Sequence, residues 1–213
     1  MEKSIESIWK EGFLKSDALV APKINDLYNQ KSTHIIDKYK RMFSINLIAV
    51  FIGSILFLGV SFLLDIPIMG IGFFIILNTI VLINRKLLPE LEKIDKNVSS
   101  YQYLKSFDHW MKEKIAINRK MAGFYYPLFF LSTVFGLWFS SNFQRLVQEI
   151  LGSSDQISLV NGIPVFWALI VISTTGLLAL FGGRIYNWDL NIVYGRVLKK
   201  LEELIADMEE LRS

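Results

Sequence analysis

Four stretches of this chain contain no Asp, Glu, Lys or Arg: residues 42–64, 66–84, 121–144 and 156–183, which are 23, 19, 24 and 28 residues long. About 20 apolar residues in a helix cross the ~30 Å hydrocarbon core of a bilayer, so each run is long enough to span one. The first run alone holds 15 Leu, Ile, Val or Phe residues, each favouring insertion by about 0.3–0.6 kcal/mol. Yet 20% of the 213 residues are charged, so charge and apolar surface are segregated along the chain. That segregation excludes a soluble enzyme. It predicts an all-α membrane protein with four transmembrane helices at 42–64, 66–84, 122–140 and 163–183, arranged as two antiparallel hairpins.

Asp65 and Pro67 provide a tight polar turn between the first two spans, and Gly70 and Gly72 are expected to let those two helices approach closely. Phe124, Tyr125, Tyr126 and Trp138 lie near the ends of the third span and Trp167 near the entry of the fourth, as interfacial aromatic belts require. Residues 1–41 hold 8 Lys and Arg, 85–120 hold 9 and 184–213 hold 5, whereas the other two connections together hold only Arg145. By the positive-inside rule, the N-terminus, the C-terminus and the middle loop are expected on the cytoplasmic side of a multi-pass protein of the cytoplasmic membrane. About 40 polar residues precede the first apolar run, so that span reads as a permanent anchor and not a cleaved signal. The chain contains no cysteine, which excludes disulfides, a thiolate nucleophile and Cys-based zinc or iron–sulfur sites.

Residues 1–41 read as cytoplasmic amphipathic helices. Ile5, Ile8, Trp9 and Phe13 recur at helical spacing, and Gly12 with Ser16-Asp17 is expected to end that helix. Pro22 suits the first turn of a second helix, whose stripe continues through Ile24, Leu27, Tyr28 and Ile35. Stripes of this kind pack on neighbouring helices, lie in the membrane interface, or dock a cytosolic partner by helix-in-groove recognition. In the docking case the anchors are Ile5, Ile8, Trp9, Phe13, Ile24, Leu27 and Tyr28. The 85–120 loop is expected to be helical, with Pro89 interrupting the extension of the second span and Ser99-Ser100 capping a helix. That helix runs through Leu104, Phe107, Met111 and Ile115 into the third span. On the outer side, 141–152 reads as a short amphipathic helix, with Ser141 and Gln144 spaced as a capping box and Gly152 as its stop.

The tail, 184–213, carries the most regular soluble pattern. Leu190, Tyr194, Val197, Leu201, Leu204, Met208 and Leu211 alternate spacings of 4 and 3, as in a heptad seam. Such a seam must bury itself against a symmetry mate, the chain's own cytoplasmic helices or a partner. Packing within one cytoplasmic subdomain is preferred, since Gly195 inside the pattern costs about 1 kcal/mol and weakens a free-standing coiled coil. A homo-oligomeric scaffold assembled through these heptads is the alternative.

Candidate chemistry is sparse. The two histidines, His34 and His109, have no metal-ligand spacing, and no nucleotide-binding or hydrolase motif is present. The chain is expected not to be an enzyme and to need no cofactor or metal. A net charge of +3 does not argue for direct nucleic-acid binding. A small transporter or channel is a third reading, but no span carries an ionisable residue of the kind coupled transport uses. Asn46, Asn78, Ser132, Thr133 and Ser173-Thr174-Thr175 are expected to bond between helices or to their own backbone. Gly182-Gly183 is expected to break the helix at the end of the fourth span.

The segment Ile8-Trp9-Lys10-Glu11-Gly12-Phe13-Leu14, followed by Ser16-Asp17-Ala18-Leu19-Val20-Ala21-Pro22-Lys23-Ile24-Asn25-Asp26-Leu27-Tyr28, resembles the opening of a group of bacterial four-span membrane proteins. That group is encoded beside sigma factors of the extracytoplasmic-function class. The resemblance covers about 30 residues. It implies an anti-sigma-factor-like regulator of transcription in the bacterial inner membrane, whose N-terminal helices sequester a sigma factor. The chain departs from zinc-type anti-sigma factors, whose His-x-x-x-Cys-x-x-Cys signature needs cysteines it does not contain.

Overall fold

A computed structural model describes the backbone of residues 5–95, 98–151, 159–160 and 163–210 and the side chains of 27–95, 98–149 and 165–210. The described chain is almost entirely helical. Helix α1 runs from Ile5 to Leu63, α2 is Pro67–Arg85, α3 is Leu88–Glu92, α4 is Ser100–Trp138, α5 is Ser141–Leu151 and α6 is Val165–Glu210. Between α5 and α6, β1 (Leu159–Val160) pairs antiparallel with β2 (Ile163–Pro164). Four helices are long and apolar enough to cross a membrane. The charge-free stretches of α1, α2, α4 and α6 supply that apolar length, and they are the candidate spans. Helices α1 and α2 form one hairpin, α4 and α6 the other, and α2 packs on α4 to join them.

Where a pair of helices is expected in 1–41, the described residues 5–41 form one uninterrupted helix that continues into the first charge-free stretch. Gly12 and Ser16 each cost a helix about 1 kcal/mol or less, too little to stop propagation from a helix already nucleated by its span. Pro22 therefore lies in a helix interior and not at a start. Likewise α6 passes through Gly182-Gly183 without the expected break. These glycines mark a close crossing instead: a Cβ on Gly182 would lie 2.6 Å from the Ala122 carbonyl oxygen of α4.

The chain has two interiors. In the spans, large apolar side chains face outward, with Leu63 86% and Leu180 79% exposed. Between the spans lie small residues and hydrogen bonds, the mode by which helices associate where the surroundings are as apolar as leucine. Gly70 packs on Ser61 of α1, Gly72 on Ser132 of α4, and Gly136 of α4 on the backbone of Met69 in α2. Only Gly70 thus serves the α1–α2 contact expected of both Gly70 and Gly72; positions two apart on a helix face different neighbours. The Asn78 amide donates to Ser54 Oγ at 3.0 Å, joining α1 to α2. Thr133 and Thr175 donate to the carbonyls of Phe129 and Val171 in their own helices.

At the end of the bundle where α4 starts and α6 finishes, the pattern inverts. Ile36, Tyr39, Leu91, Leu104, Phe107, Met111, Leu201 and Leu204 are buried there in one apolar core contributed by α1, α3, α4 and α6. That is how a core shielded from water is built.

At the opposite end, the α1–α2 turn holds Asp65 at φ 59°, the left-handed region that aspartate tolerates better than most residues. Its Oδ2 accepts from the Ser141 N–H at 2.9 Å, so the turn of the first hairpin caps the start of α5. The Phe143 N–H donates to Ser140 Oγ at 3.4 Å, and Gln144 donates to the Trp138 carbonyl. The capping role expected of Ser141 thus belongs to its buried neighbour Ser140.

Candidate functional site

The terminal bundle gathers the buried apolar core and the ion pairs at its rim. Helix α4 begins cleanly because Ser99 accepts from the Gln102 N–H at 3.3 Å, capping the first turn. Its inward stripe, Leu104, Phe107 and Met111, faces the α6 stripe in the common core. Tyr194, Val197, Leu201, Leu204 and Met208 of the seam are buried in that core, Leu201 completely, and Leu190 packs at its edge. Leu211 lies outside the described residues. The α6 seam is therefore occupied within the chain, and a homo-oligomer built on it would have to break the core.

Of the N-terminal anchors, only two have described side chains. Tyr28 packs against the core, with the Lys31 ammonium 5.5 Å from its ring centroid, and Leu27 is 49% exposed. Ile5, Ile8, Trp9, Phe13 and Ile24 fall on the α1 backbone, and their side chains lie outside the described residues. Further along α1, Tyr39 stacks on Phe43 and meets Phe107 edge-on, with ring centroids 5.9 and 5.4 Å apart. Asn46 donates to the Tyr194 hydroxyl at 3.2 Å, a polar tie between α1 and α6 where the core gives way to the spans. The Tyr126 hydroxyl donates to Asp189 Oδ2, tying α4 to α6 at the same level.

Ion pairs rim the core. Lys114 meets Glu90 at 2.7 Å, Lys105 meets Glu209 at 2.6 Å, and Tyr101 donates to the same Glu209 carboxylate at 3.0 Å. Hydrogen bonding from Lys114 holds Glu90 below the usual carboxylate range, and Lys105 followed by Tyr101 does the same for Glu209. Both lysines are shifted upward in turn, chiefly by those hydrogen bonds. A lowered carboxylate contributes stability that is present above its unfolded pKa and is lost as pH falls through its folded value. The thermal midpoint of the bundle is therefore expected to hold through neutral pH and to drop in acid. Glu209→Gln, followed by near-ultraviolet circular dichroism, should lower the neutral midpoint slightly and shrink the acid drop by the same small amount, because an exposed pair contributes little.

His109 lies between Asp108, which pairs with Lys112 at 2.7 Å, and Trp110, whose indole is buried in the core. His34 stands beside Asp37, Lys38 and Arg41 along a shallow groove of about 550 Å³ on α1. Among the described residues no three His, Cys, Asp or Glu side chains group as a metal site would. Sequence reasoning missed the Asn118–Asn84 pair, in which the Asn118 amide donates to Asn84 Oδ1 at 3.2 Å and joins α4 to α2. An asparagine at the last charge-free position of a span was the available signal. Comparison with known protein families, curated proteins and solved structures finds no match to this chain.

Proposed function

We propose that this is a multi-pass regulatory protein of the bacterial cytoplasmic membrane, with both termini in the cytoplasm. It captures a cytosolic protein on the N-terminal part of α1. The observation that carries this reading is the surplus length of that helix. Beyond the charge-free runs, α1 extends over 5–41, α4 over 100–120 and α6 over 184–210. At 1.5 Å per residue these are about 55, 32 and 40 Å. Among the described residues, helix α1 thus extends about 15 Å further than α6, the longest of its neighbours there, and that excess carries Ile5, Ile8, Trp9 and Phe13. The 22-to-1 split of basic residues supports the orientation.

The resemblance of this segment to sigma-adjacent membrane proteins makes an extracytoplasmic-function sigma factor the partner to test. The full-length chain and a variant lacking residues 2–26 should be purified in mild detergent with that sigma factor present. The shortened variant keeps Tyr28, Ile36 and Tyr39, so its core is intact. The sigma factor is expected with the first and not with the second. Trp9→Ala or Phe13→Ala should weaken capture at least tenfold, as loss of a buried anchor does. Equal capture by all four proteins would overturn the proposal.

A further inference from the structure

Between α2 and α4, on the outward face of the bundle, runs a furrow of about 350 Å³. Its walls are almost wholly apolar: Ile75, Ile76 and Ile80 from α2, with Met121, Phe124 and Leu128 from α4. Two features hold its width. Near the terminal end the buried Asn118–Asn84 hydrogen bond pins the two helices together. Deeper in the span, Gly72 packs on Ser132, and Phe73 meets Phe129 edge-on at 4.9 Å.

The two lining rows lead into charge. On α2 the helical row Ile75, Thr79, Leu82 continues to Lys86, and on α4 the row Leu128, Phe124 continues to Lys120. Both lysines are exposed, and among the described residues neither enters an ion pair. Their neighbours are committed elsewhere: Lys114 holds Glu90, and the Arg119 side chain packs over Gly183 on the α6 side. An apolar trough whose two helices each lead, in helical register, to an exposed lysine has the amphipathic form of one class of ligand.

We propose that this furrow is a binding site for an anionic glycerophospholipid, one acyl chain lying along Ile76, Ile80, Met121 and Leu128 and the phosphate held between Lys86 and Lys120. The site rests on the reading that α2 and α4 span a bilayer, and it does not depend on the cytosolic partner. Each lysine near an anionic headgroup is worth about fivefold in affinity, so the pair should distinguish anionic from zwitterionic lipid by about 25-fold.

The test is native mass spectrometry of the full-length chain in detergent, titrated with phosphatidylglycerol or phosphatidylcholine of identical acyl chains. One phosphatidylglycerol per chain is expected to be retained preferentially. Lys86→Gln with Lys120→Gln should bring the two lipids close to parity, while Lys199→Gln, in the tail, should leave the preference intact. Thr79→Trp, which fills the furrow, should reduce retention of both lipids. Equal retention of the two lipids by the unaltered chain, or a preference that survives the double lysine change, would overturn the site. Alkaline carbonate extraction tests the bilayer reading separately: a chain released from membranes would fail there, whatever its lipid preference.

Discussion

Leu201→Asp is expected to unfold the terminal bundle while leaving the spans in the membrane. Leu201 has 0% exposure and sits among Leu104, Phe107 and Tyr194. Truncating such a side chain to alanine costs about 2–5 kcal/mol, and an unpaired buried carboxylate costs more. A core of this size cannot absorb that loss, since whole domains are stable by only about 5–15 kcal/mol. Insertion of the candidate spans would not depend on this core, because it rests on the 20 or so apolar residues of each charge-free stretch. Limited proteolysis should therefore cut α6 beyond the membrane in the variant and spare it in the unaltered chain, with both resisting carbonate extraction. The detergent-solubilised mass should be the same for both. A mass that falls to a fraction would mean that the seam also holds copies of the chain together, against the packing seen within one chain.

The second large effect belongs to the glycines of the spans. A Cβ on Gly136 would stand 2.7 Å from the Met69 backbone nitrogen, and one on Gly182 2.6 Å from the Ala122 carbonyl oxygen. Backbone cannot rotate away as a side chain does, so a methyl group at either place must push whole helices apart. Gly136→Ala and Gly182→Ala are each expected to lower stability in detergent by about 1–3 kcal/mol, the range of overpacked cores. Gly53 and Gly59 provide the contrast, since nothing lies within 4 Å of a Cβ on either. There alanine should stabilise by up to about 1 kcal/mol through helix propensity alone. Equal responses at all four positions, measured by unfolding in mixed micelles, would mean that the close crossings do not hold the spans together.

The contrast between these glycines shows what could be read in advance. That residues 42–64 and 66–84 form helices follows from the absence of charge, a local property that the solvent imposes. α2 was accordingly expected within one residue of its ends at Pro67 and Arg85. The heptad positions of α6 were legible for the same reason, because a seam announces that it is buried. What buries it was not legible. Whether Tyr194 meets Phe43, Phe107 or a second chain depends on how helices far apart in sequence cross, and one sequence carries no record of that. Gly72 against Ser132, and Asn84 with Asn118, are pairings of this non-local kind. Gly12 and Ser16 before the first span, and Gly182 inside the fourth, weaken a helix without ending it, so composition alone overstates the breaks there. Of the candidate docking surface, only the spacing of Ile5, Ile8, Trp9 and Phe13 was legible, since an anchor is recognised by its partner as much as by its own helix.

The unbroken passage of α1 from span to tip has a mechanical consequence. From Phe43 to Ile5 the helix measures about 57 Å at 1.5 Å per residue. A change of about 10° in tilt, well within the range membrane helices adopt as bilayer thickness varies, would swing its far end through roughly 10 Å. The same rotation displaces α1 by about 1 Å at Tyr39 and by about 4 Å at Tyr28, where it still packs on the core. An unbroken helix of this length turns a small rotation at one end into a large displacement at the other.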